Sequence, residues 1–121
     1  MRLLFAAFLL AALPILIPAA KAEDPGKAAF DSRCAACHTV TAAKSGVAAP
    51  SLKGVYGRKI AALEDFTYSP GLKSRGGRWT EANLEAFLAS PSSFAQGSKM
   101  PINVQSAGDR ATLIAYLKTV K

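Results

Sequence analysis

The chain has 121 residues, of which 50% are hydrophobic, 19% are charged and 8% are aromatic. This length suits one domain and excludes a two-domain enzyme with its own nucleotide-binding fold. The apolar content excludes a disordered chain, and two cysteines are too few for a disulfide-stabilised miniprotein. The formal net charge is +7, but no basic run or nucleic-acid-binding motif accompanies it, so we expect no nucleic-acid partner.

Residues 1–22 have the anatomy of a secretory signal peptide. Arg2 supplies the positive charge, Leu3–Leu13 is an uninterrupted apolar run, and Ala20-Lys21-Ala22 has small residues at both positions of an A-x-A cleavage site. We predict cleavage after this tripeptide, which leaves residues 23–121 as the mature domain. Export then places the cysteines in an oxidising compartment.

The alternative for the same segment is an uncleaved membrane anchor. Residues 3–20 carry no charged side chain, and their length of about 18 residues reaches the threshold for spanning a bilayer. Two prolines interrupt the second half of this stretch, and the cleavage site follows it directly. Retention of the segment is therefore the one case in which we expect membrane association.

The mature part reads as short helices joined by long loops. Three helices are predicted from apolar residues that recur at helical spacing, and the second of them ends at Pro91. The capping residues that begin the three helices are Asp24, Thr80 and either Ser106 or Asp109. The alternation of apolar and polar residues that marks a half-buried strand is absent from the sequence, so the predicted fold class is all-α.

Long irregular segments separate these helices. Residues 39–78 show no sustained period and are broken by glycine and proline, so we predict a structureless stretch there and a further loop from Pro91 to Pro101. So long a stretch is unusual in a compact domain. Three short helices also make a thin core, and domains of this size are marginal without a staple, a metal or a cofactor. We therefore expect the chain to fold around a cofactor.

The segment Cys34-Ala-Ala-Cys37-His38 contains both cysteines and the single histidine of the chain. It is the C-x-x-C-H pattern of covalent c-type haem attachment, in which each thiol forms a thioether with the porphyrin edge and the imidazole approaches the iron. Three alternatives compete. A thioredoxin-type redox pair needs strands around it, a zinc site needs four ligands where three Cys and His groups exist, and a structural disulfide leaves His38 unexplained.

With this motif the chain resembles the class I c-type cytochromes, and within them the mitochondrial-type and bacterial c2/c550 group, over residues 25–121. The resemblance implies the class I cytochrome c fold, in which three or more short helices and long loops wrap around a covalently bound haem. It implies one haem c attached through Cys34 and Cys37, with His38 as one axial ligand of the iron.

The resemblance also implies the second axial ligand, Met100, in the loop Gly97-Ser98-Lys99-Met100-Pro101. A methionine often fills a gap in a core, but the loop resembles the Met-ligand loop of the family. A thioether favours Fe(II), so ligation by histidine and methionine raises the reduction potential. The alternatives are Lys99 as the ligand at elevated pH, or an open site if Met100 is labile.

Five further residues are expected around the haem by the same resemblance. The carbonyl of Pro50 accepts the Nδ1–H of the proximal histidine and so orients the ring. Arg58, Tyr68 and Trp79 supply a guanidinium, a hydroxyl and an indole N–H to the haem propionates, because buried carboxylates need donors. Ser98 stands where the family usually has a threonine, and it keeps the hydroxyl.

Packing and docking residues complete the comparison with the family. Gly26, Phe30, Leu113 and Tyr116 match its crossing of N- and C-terminal helices, where glycine permits a close approach. Basic side chains expected around the haem edge are Lys27, Arg33, Lys44 and Lys99. A lysine pair common there in relatives is replaced by Ser92 and Ser93, so we expect weaker electrostatic steering than in the most basic relatives. Ile102 stands where the mitochondrial group has an aromatic residue that covers the haem edge, so we expect more of the haem to be exposed.

The resemblance implies a soluble periplasmic one-electron carrier. Its iron cycles between Fe(II) and Fe(III), and its redox partners, a membrane reductase, an oxidase or a dehydrogenase, dock transiently by electrostatics. Because His38 and Met100 fill both axial positions, we expect no enzymatic activity, and we expect a monomer. The alternative function is a haem peroxidase or gas-binding protein with a labile methionine ligand, which needs an open axial site and a distal acid or base.

Overall fold

The computed structural model describes residues 10–121, and five helices lie in this range. Extended pairing within it is limited to one isolated antiparallel bridge, between Lys59 and Arg78. The helices are α1 (Pro25–Arg33), α2 (Pro70–Arg75), α3 (Glu81–Ala89), α4 (Pro91–Phe94) and α5 (Ala107–Leu117). The prediction of an all-α fold is confirmed.

The three predicted helices begin at predicted capping residues. The Asp24 carboxylate accepts the N–H of Gly26 at 2.8 Å at the start of α1. Thr80 and Ser106 each accept the backbone N–H three residues further on, at the starts of α3 and α5. Each bond satisfies a donor that has no partner inside its helix. Ser106 is thus the cap of α5, and Asp109 lies in its first turn, where a negative charge favours the helix dipole.

Two short helices occupy segments for which loops were predicted. The prediction that residues 39–78 are structureless is wrong at α2, where Ser69 Oγ accepts the N–H of Leu72 at 3.3 Å and Pro70 opens the first turn. The loop predicted to begin at Pro91 likewise begins with α4. Proline ends a helix that precedes it, but its fixed φ and missing N–H suit the first turn of the next one.

The predicted crossing of the terminal helices forms one side of the core. Phe30 of α1 and Leu113 of α5 are buried, and the ring of Phe30 lies 5.7 Å from that of Tyr116, centroid to centroid. A Cβ on Gly26 would stand 2.5 Å from Tyr116 Cβ and 2.6 Å from the carbonyl oxygen of Thr112. These distances are shorter than any carbon contact allows, so α1 and α5 can approach this closely only with glycine at position 26.

Gly26→Ala should therefore lower the free energy of unfolding, by about 1–3 kcal/mol, because the added methyl forces the two helices apart. Guanidinium titration of the haem-loaded protein measures this loss. Gly108→Ala is the matched control, since Gly108 lies in α5 with its nearest neighbour, Ser106 Oγ, at 3.7 Å. Alanine there should leave stability unchanged or raise it by up to about 1 kcal/mol. Equal stability of the two variants would contradict the close crossing.

The segment before α1 is irregular and exposed. Leu10 and Leu16 have 92% and 91% of their surfaces exposed, and residues 10–24 contain neither helix nor strand. Most of the predicted apolar run, Leu3–Leu13, lies outside the described residues. Among residues 10–121, no helix has the length and apolar character needed to cross a membrane.

Candidate haem-binding site

The two cysteines lie at the end of α1 and in the turn that follows it. Cys34 caps the helix, and its N–H donates to the carbonyl of Phe30 at 2.8 Å. The N–H groups of Cys37 and His38 both donate to the Cys34 carbonyl, at 3.1 and 2.9 Å, so the motif folds as one tight turn. Both thiols are free; Cys34 is half-buried and Cys37 exposed, and burial raises the pKa of the Cys34 thiol.

The His38 ring is oriented by the backbone of the following loop. Its Nδ1 lies 2.7 Å from the carbonyl oxygen of Pro50, to which the Nδ1–H donates. This is the contact expected of Pro50. Burial lowers the pKa of His38, and the Pro50 carbonyl partly opposes that effect. The imidazole is thus held neutral with Nε2 as its free lone pair, the form in which histidine ligates a metal.

The Arg58 guanidinium points into the protein but is only partly satisfied there. Nη2 donates to the carbonyl of Ser51 at 2.8 Å and Nη1 to that of Lys53 at 3.2 Å. Nε is the one buried side-chain polar atom of residues 10–121 without a hydrogen-bond partner. Burial lowers the pKa of Arg58, and the charges of nearby Tyr68 and Asp65 partly offset this lowering. A buried donor without an acceptor is costly, and a haem propionate is an acceptor of the required charge.

Tyr68 and Trp79, expected to be donors to the propionates, are both buried with 7% of their surfaces exposed. The Tyr68 hydroxyl accepts the N–H of Leu63 at 3.3 Å, which leaves its own proton free to donate, and burial raises the pKa of Tyr68. The backbone N–H of Trp79 donates to the Arg58 carbonyl at 2.9 Å, so these two residues are neighbours across the bridge. The indole stacks on Phe94 at 5.6 Å.

Met100 is half-buried and packs against the hydrophobic core, as Cys34 does. The Ser98 hydroxyl, expected near a propionate, accepts the Met100 N–H at 3.4 Å and so lies within the same loop. Lys99 Nζ donates to the carbonyl of Thr67 at 3.1 Å, which ties this loop to the segment preceding α2.

Arg110 anchors the segment that follows Met100, and it was not predicted from the sequence. Its Nη1 donates to the carbonyls of Val104 and Gln105, both at 2.8 Å, and its Nε to Glu85 at 2.5 Å. It thereby joins α5, α3 and the segment that follows Met100, with 14% of its side chain exposed. The sequence did contain one indication that Arg110 is partly buried, because residue 110 is in helical register with the buried face of α5.

These groups fit a covalently bound haem. The turn supplies two free thiols and an oriented imidazole, a thioether lies half-buried in a loop, and Arg58 offers an unpartnered buried donor. A zinc site is less well supplied, because the described residues contain no cluster of three or more His, Cys, Asp and Glu side chains.

Comparison with known proteins decides the family. The family model for cytochrome c matches residues 23–121. The chain belongs to the cytochrome c family. It is 47% identical over 96 residues to cytochrome c of Tetrahymena pyriformis, covering 78% of this chain and 85% of that protein. It is 41% identical to cytochrome c2 iso-1 of Magnetospirillum molischianum, covering 74% and 92%.

The structural comparison agrees. Cytochrome cH from Methylobacterium extorquens superposes with a TM-score of 0.71 at 36% sequence identity, covering 78% of this chain and 95% of that one. The class I cytochrome c fold is thus confirmed. Cytochrome c-type cyt cy of Rhodobacter capsulatus is 41% identical, and the match spans 47% of its length. Cytochromes c are electron carriers that bind haem c through two cysteines, which are Cys34 and Cys37 in this chain.

Proposed function

We propose that this chain is a periplasmic one-electron carrier whose haem iron is ligated by His38 and Met100. The donor is a membrane reductase or a periplasmic dehydrogenase, and the acceptor is a terminal oxidase or another periplasmic protein. The observation that carries the proposal is the 2.7 Å contact between His38 Nδ1 and the Pro50 carbonyl. That contact prepares Nε2 as a ligand in one orientation.

The haem supplies the Fe(II)/Fe(III) couple, and the residues around it keep its surroundings fixed. His38 is locked by Pro50, and the Met100 loop is tied down through Lys99 and Arg110. Fixed ligands need little rearrangement when the charge changes, which suits transfer of a single electron. Arg58, Tyr68 and Trp79 would hold the propionates by hydrogen bonds, and a propionate would supply the acceptor that the Nε of Arg58 lacks.

A carrier is favoured over a peroxidase or gas-binding protein because the proposed ligands, His38 and Met100, would fill both axial positions. The chain has one histidine, and its contact with the Pro50 carbonyl supports a role for it as the proximal ligand. Chemistry on oxygen or peroxide needs an open position and a nearby acid or base. Met100 closes that position, so we propose that the protein is not an enzyme.

The visible spectrum of the purified native protein tests the proposal. We expect low-spin spectra of c type in both oxidation states, a weak far-red sulfur-to-iron band when oxidised, and no change on exposure to CO. A high-spin spectrum or prompt CO binding would instead establish an open site and favour the gas-binding alternative.

The proposal also covers localisation and oligomeric state, and a separate experiment tests each of them. We propose that residues 1–22 are removed on export, so N-terminal sequencing of the native protein should begin at Glu23. Retention of Met1 or Arg2 would show an anchored protein instead. Light scattering of the haem-loaded protein should give the mass of a monomer.

A further inference from the structure

α2 differs from the other helices in what it packs against. Its backbone lies beside none of the other helices of residues 10–121, whereas α1, α3, α4 and α5 each pack against at least one other. None of the six residues of α2 is fully buried, and Leu72 alone reaches the hydrophobic core. The helix therefore contributes little to the core, and its main packing partner is a loop.

That partner is the backbone of Gln96, the residue immediately before the Met100 loop. A Cβ on Gly71 of α2 would overlap the carbonyl oxygen of Gln96 and would stand 3.0 Å from both its N and its C atoms. All three atoms belong to the main chain, which cannot rotate aside as the end of a flexible side chain can. Only a hydrogen atom fits between α2 and this peptide, so residue 71 has to be glycine.

Gln96 lies inside a tight turn that leads into the Met100 loop. The N–H of Ser98 donates to the carbonyl of Ala95 at 3.1 Å, and Gly97 has a φ of 77°. Positive φ at the third residue is typical of a type II turn, in which the central peptide has one fixed orientation. The central peptide carries the Gln96 carbonyl that faces α2. Ser98 Oγ then accepts the Met100 N–H at 3.4 Å, which links the turn to the proposed ligand.

Two side chains hold the ends of the same contact. Lys99 Nζ donates to the carbonyl of Thr67, just before α2, at 3.1 Å. At the other end of α2, the Arg75 guanidinium lies 4.3 Å from the centroid of the Phe94 ring. Residues 67, 71 and 75 thus contact residues 99, 96 and 94 respectively. The α2 segment runs antiparallel to the chain that leads to Met100 and touches it at both ends and in the middle.

We propose that α2 positions Met100 and that Gly71 is the positioning residue. The inference rests on the proposed function, since it takes Met100 as an axial ligand. With hydrogen at position 71, the helix lies against the central peptide of the turn and holds the Met100 loop closed. A helix that moves away from the turn releases the loop. Carrier function thereby depends on a helix that supplies no ligand to the iron.

The contact lies near the surface of the protein. Gly71 is half-buried and Gln96 is exposed. The joint between α2 and the turn can therefore open while the hydrophobic core stays intact. For this reason a change at residue 71 should affect the Met100 loop more than it affects the stability of the whole domain.

Gly71→Ala in the haem-loaded protein tests the proposal. The added methyl group pushes the Gln96 peptide away from α2. CO binding by the reduced protein should become about ten-fold faster, which corresponds to weakening the closed loop by about 1.4 kcal/mol and lies within the usual cost of overpacking. The oxidised protein should lose part of its far-red sulfur-to-iron band. Amide hydrogen exchange of residues 96–100 should accelerate more than that of α1 and α5.

Gly26→Ala is the matched control, because it places the same methyl group in another close contact. The nearest atoms there belong to Tyr116, Thr112 and Asp24 rather than to the Met100 loop. This variant should lose stability but keep the far-red band and the slow reaction with CO. If the two alanine variants changed CO binding alike, or if neither changed it, the positioning role of Gly71 would be overturned.

Arg75→Gln keeps the proposal testable if Gly71→Ala does not fold. The side chain is exposed, and its loss should make CO binding about three-fold faster, the effect expected when an exposed cation–π contact is removed. Lys73→Gln removes the same charge from the same turn of α2. Lys73 takes no part in the ion pairs of residues 10–121, and its replacement should leave CO binding unchanged. Equal acceleration in these two variants would attribute the effect to charge and contradict the proposal.

The spectrum of the unaltered protein separates this inference from the function on which it rests. A far-red band and indifference to CO in that protein, together with a Gly71→Ala variant that behaves as Gly26→Ala does, would remove the positioning role and leave the carrier function standing. A high-spin spectrum or prompt CO binding in the unaltered protein would remove the ligand assignment, and the inference with it.

Discussion

Arg110→Ala should lower the free energy of unfolding by about 2–3 kcal/mol and loosen the loop that holds Met100. The truncation leaves the carbonyl of buried Val104 without its side-chain donor, and a buried group in that state costs about 1–3 kcal/mol. The carbonyl of exposed Gln105 loses the same donor but can bond to water instead. Loss of the ion pair with Glu85 contributes less to this destabilisation, because the Glu85 side chain is 42% exposed and solvent screens its unpaired charge. The loop is affected because Val104, buried with 1% of its surface exposed, lies four residues after the proposed ligand Met100.

The Val104 backbone is held at both of its polar groups. Its N–H donates to the Leu88 carbonyl at 2.7 Å, and its carbonyl accepts from Arg110 at 2.8 Å. Loss of the bond from Arg110 should let residues 98–105 open independently of the helices. Amide hydrogen exchange of residues 98–105 should therefore accelerate more than that of α1 and α5, which global destabilisation alone would not produce.

Two control variants separate the parts of this effect. Lys118→Ala removes the ion pair to Glu81, which joins α3 to the residue that follows α5 without contacting the loop. An exposed pair of this kind contributes at most about 1 kcal/mol. Glu85→Gln leaves both carbonyl contacts of Arg110 in place and should preserve slow exchange in the loop. If Arg110→Ala cost no more than Lys118→Ala, the anchoring role of Arg110 would be wrong.

The parts of the site that were predictable from the sequence depend on residues close together in the chain. Asp24, Thr80 and Ser106 cap helices through neighbours two or three residues away. The cysteine motif folds as a turn within five residues. The contact between His38 and Pro50 spans a single loop, and it was expected only because the chain resembles a family in which that proline is present.

Contacts across long sequence separations were not predictable in the same way. Arg110 reaches Glu85 from 25 residues away, and Lys99 reaches Thr67 from 32. No spacing rule connects such pairs, because folding of the intervening loops brings them together. The opposition of Lys59 and Arg78 has the same origin, since two irregular segments pair at one point. α2 was missed for another reason, because the surrounding glycines obscured the cap formed by Ser69.

Met100→Ala should lower the reduction potential and open the iron to CO. Methionine ligation favours Fe(II) because the thioether is a soft, uncharged donor. Axial ligands set haem potentials over a range of roughly 0.8 V, and loss of this one should lower the potential by at least about 0.1 V. Potentiometric titration measures the shift. The oxidised protein should also lose its far-red sulfur-to-iron band, and the reduced protein should bind CO promptly.

Ile102→Ala is the control for disturbance of the loop, because Ile102 lies two residues away and its side chain is 42% exposed. It should keep the far-red band, the potential and the indifference to CO. An unchanged potential and spectrum in Met100→Ala would refute the ligand assignment. If both variants bound CO alike, the methionine would be held by a loop that opens easily. The distinction between carrier and gas-binding protein would then depend on the stability of that loop, and so on its anchors at Lys99 and Arg110.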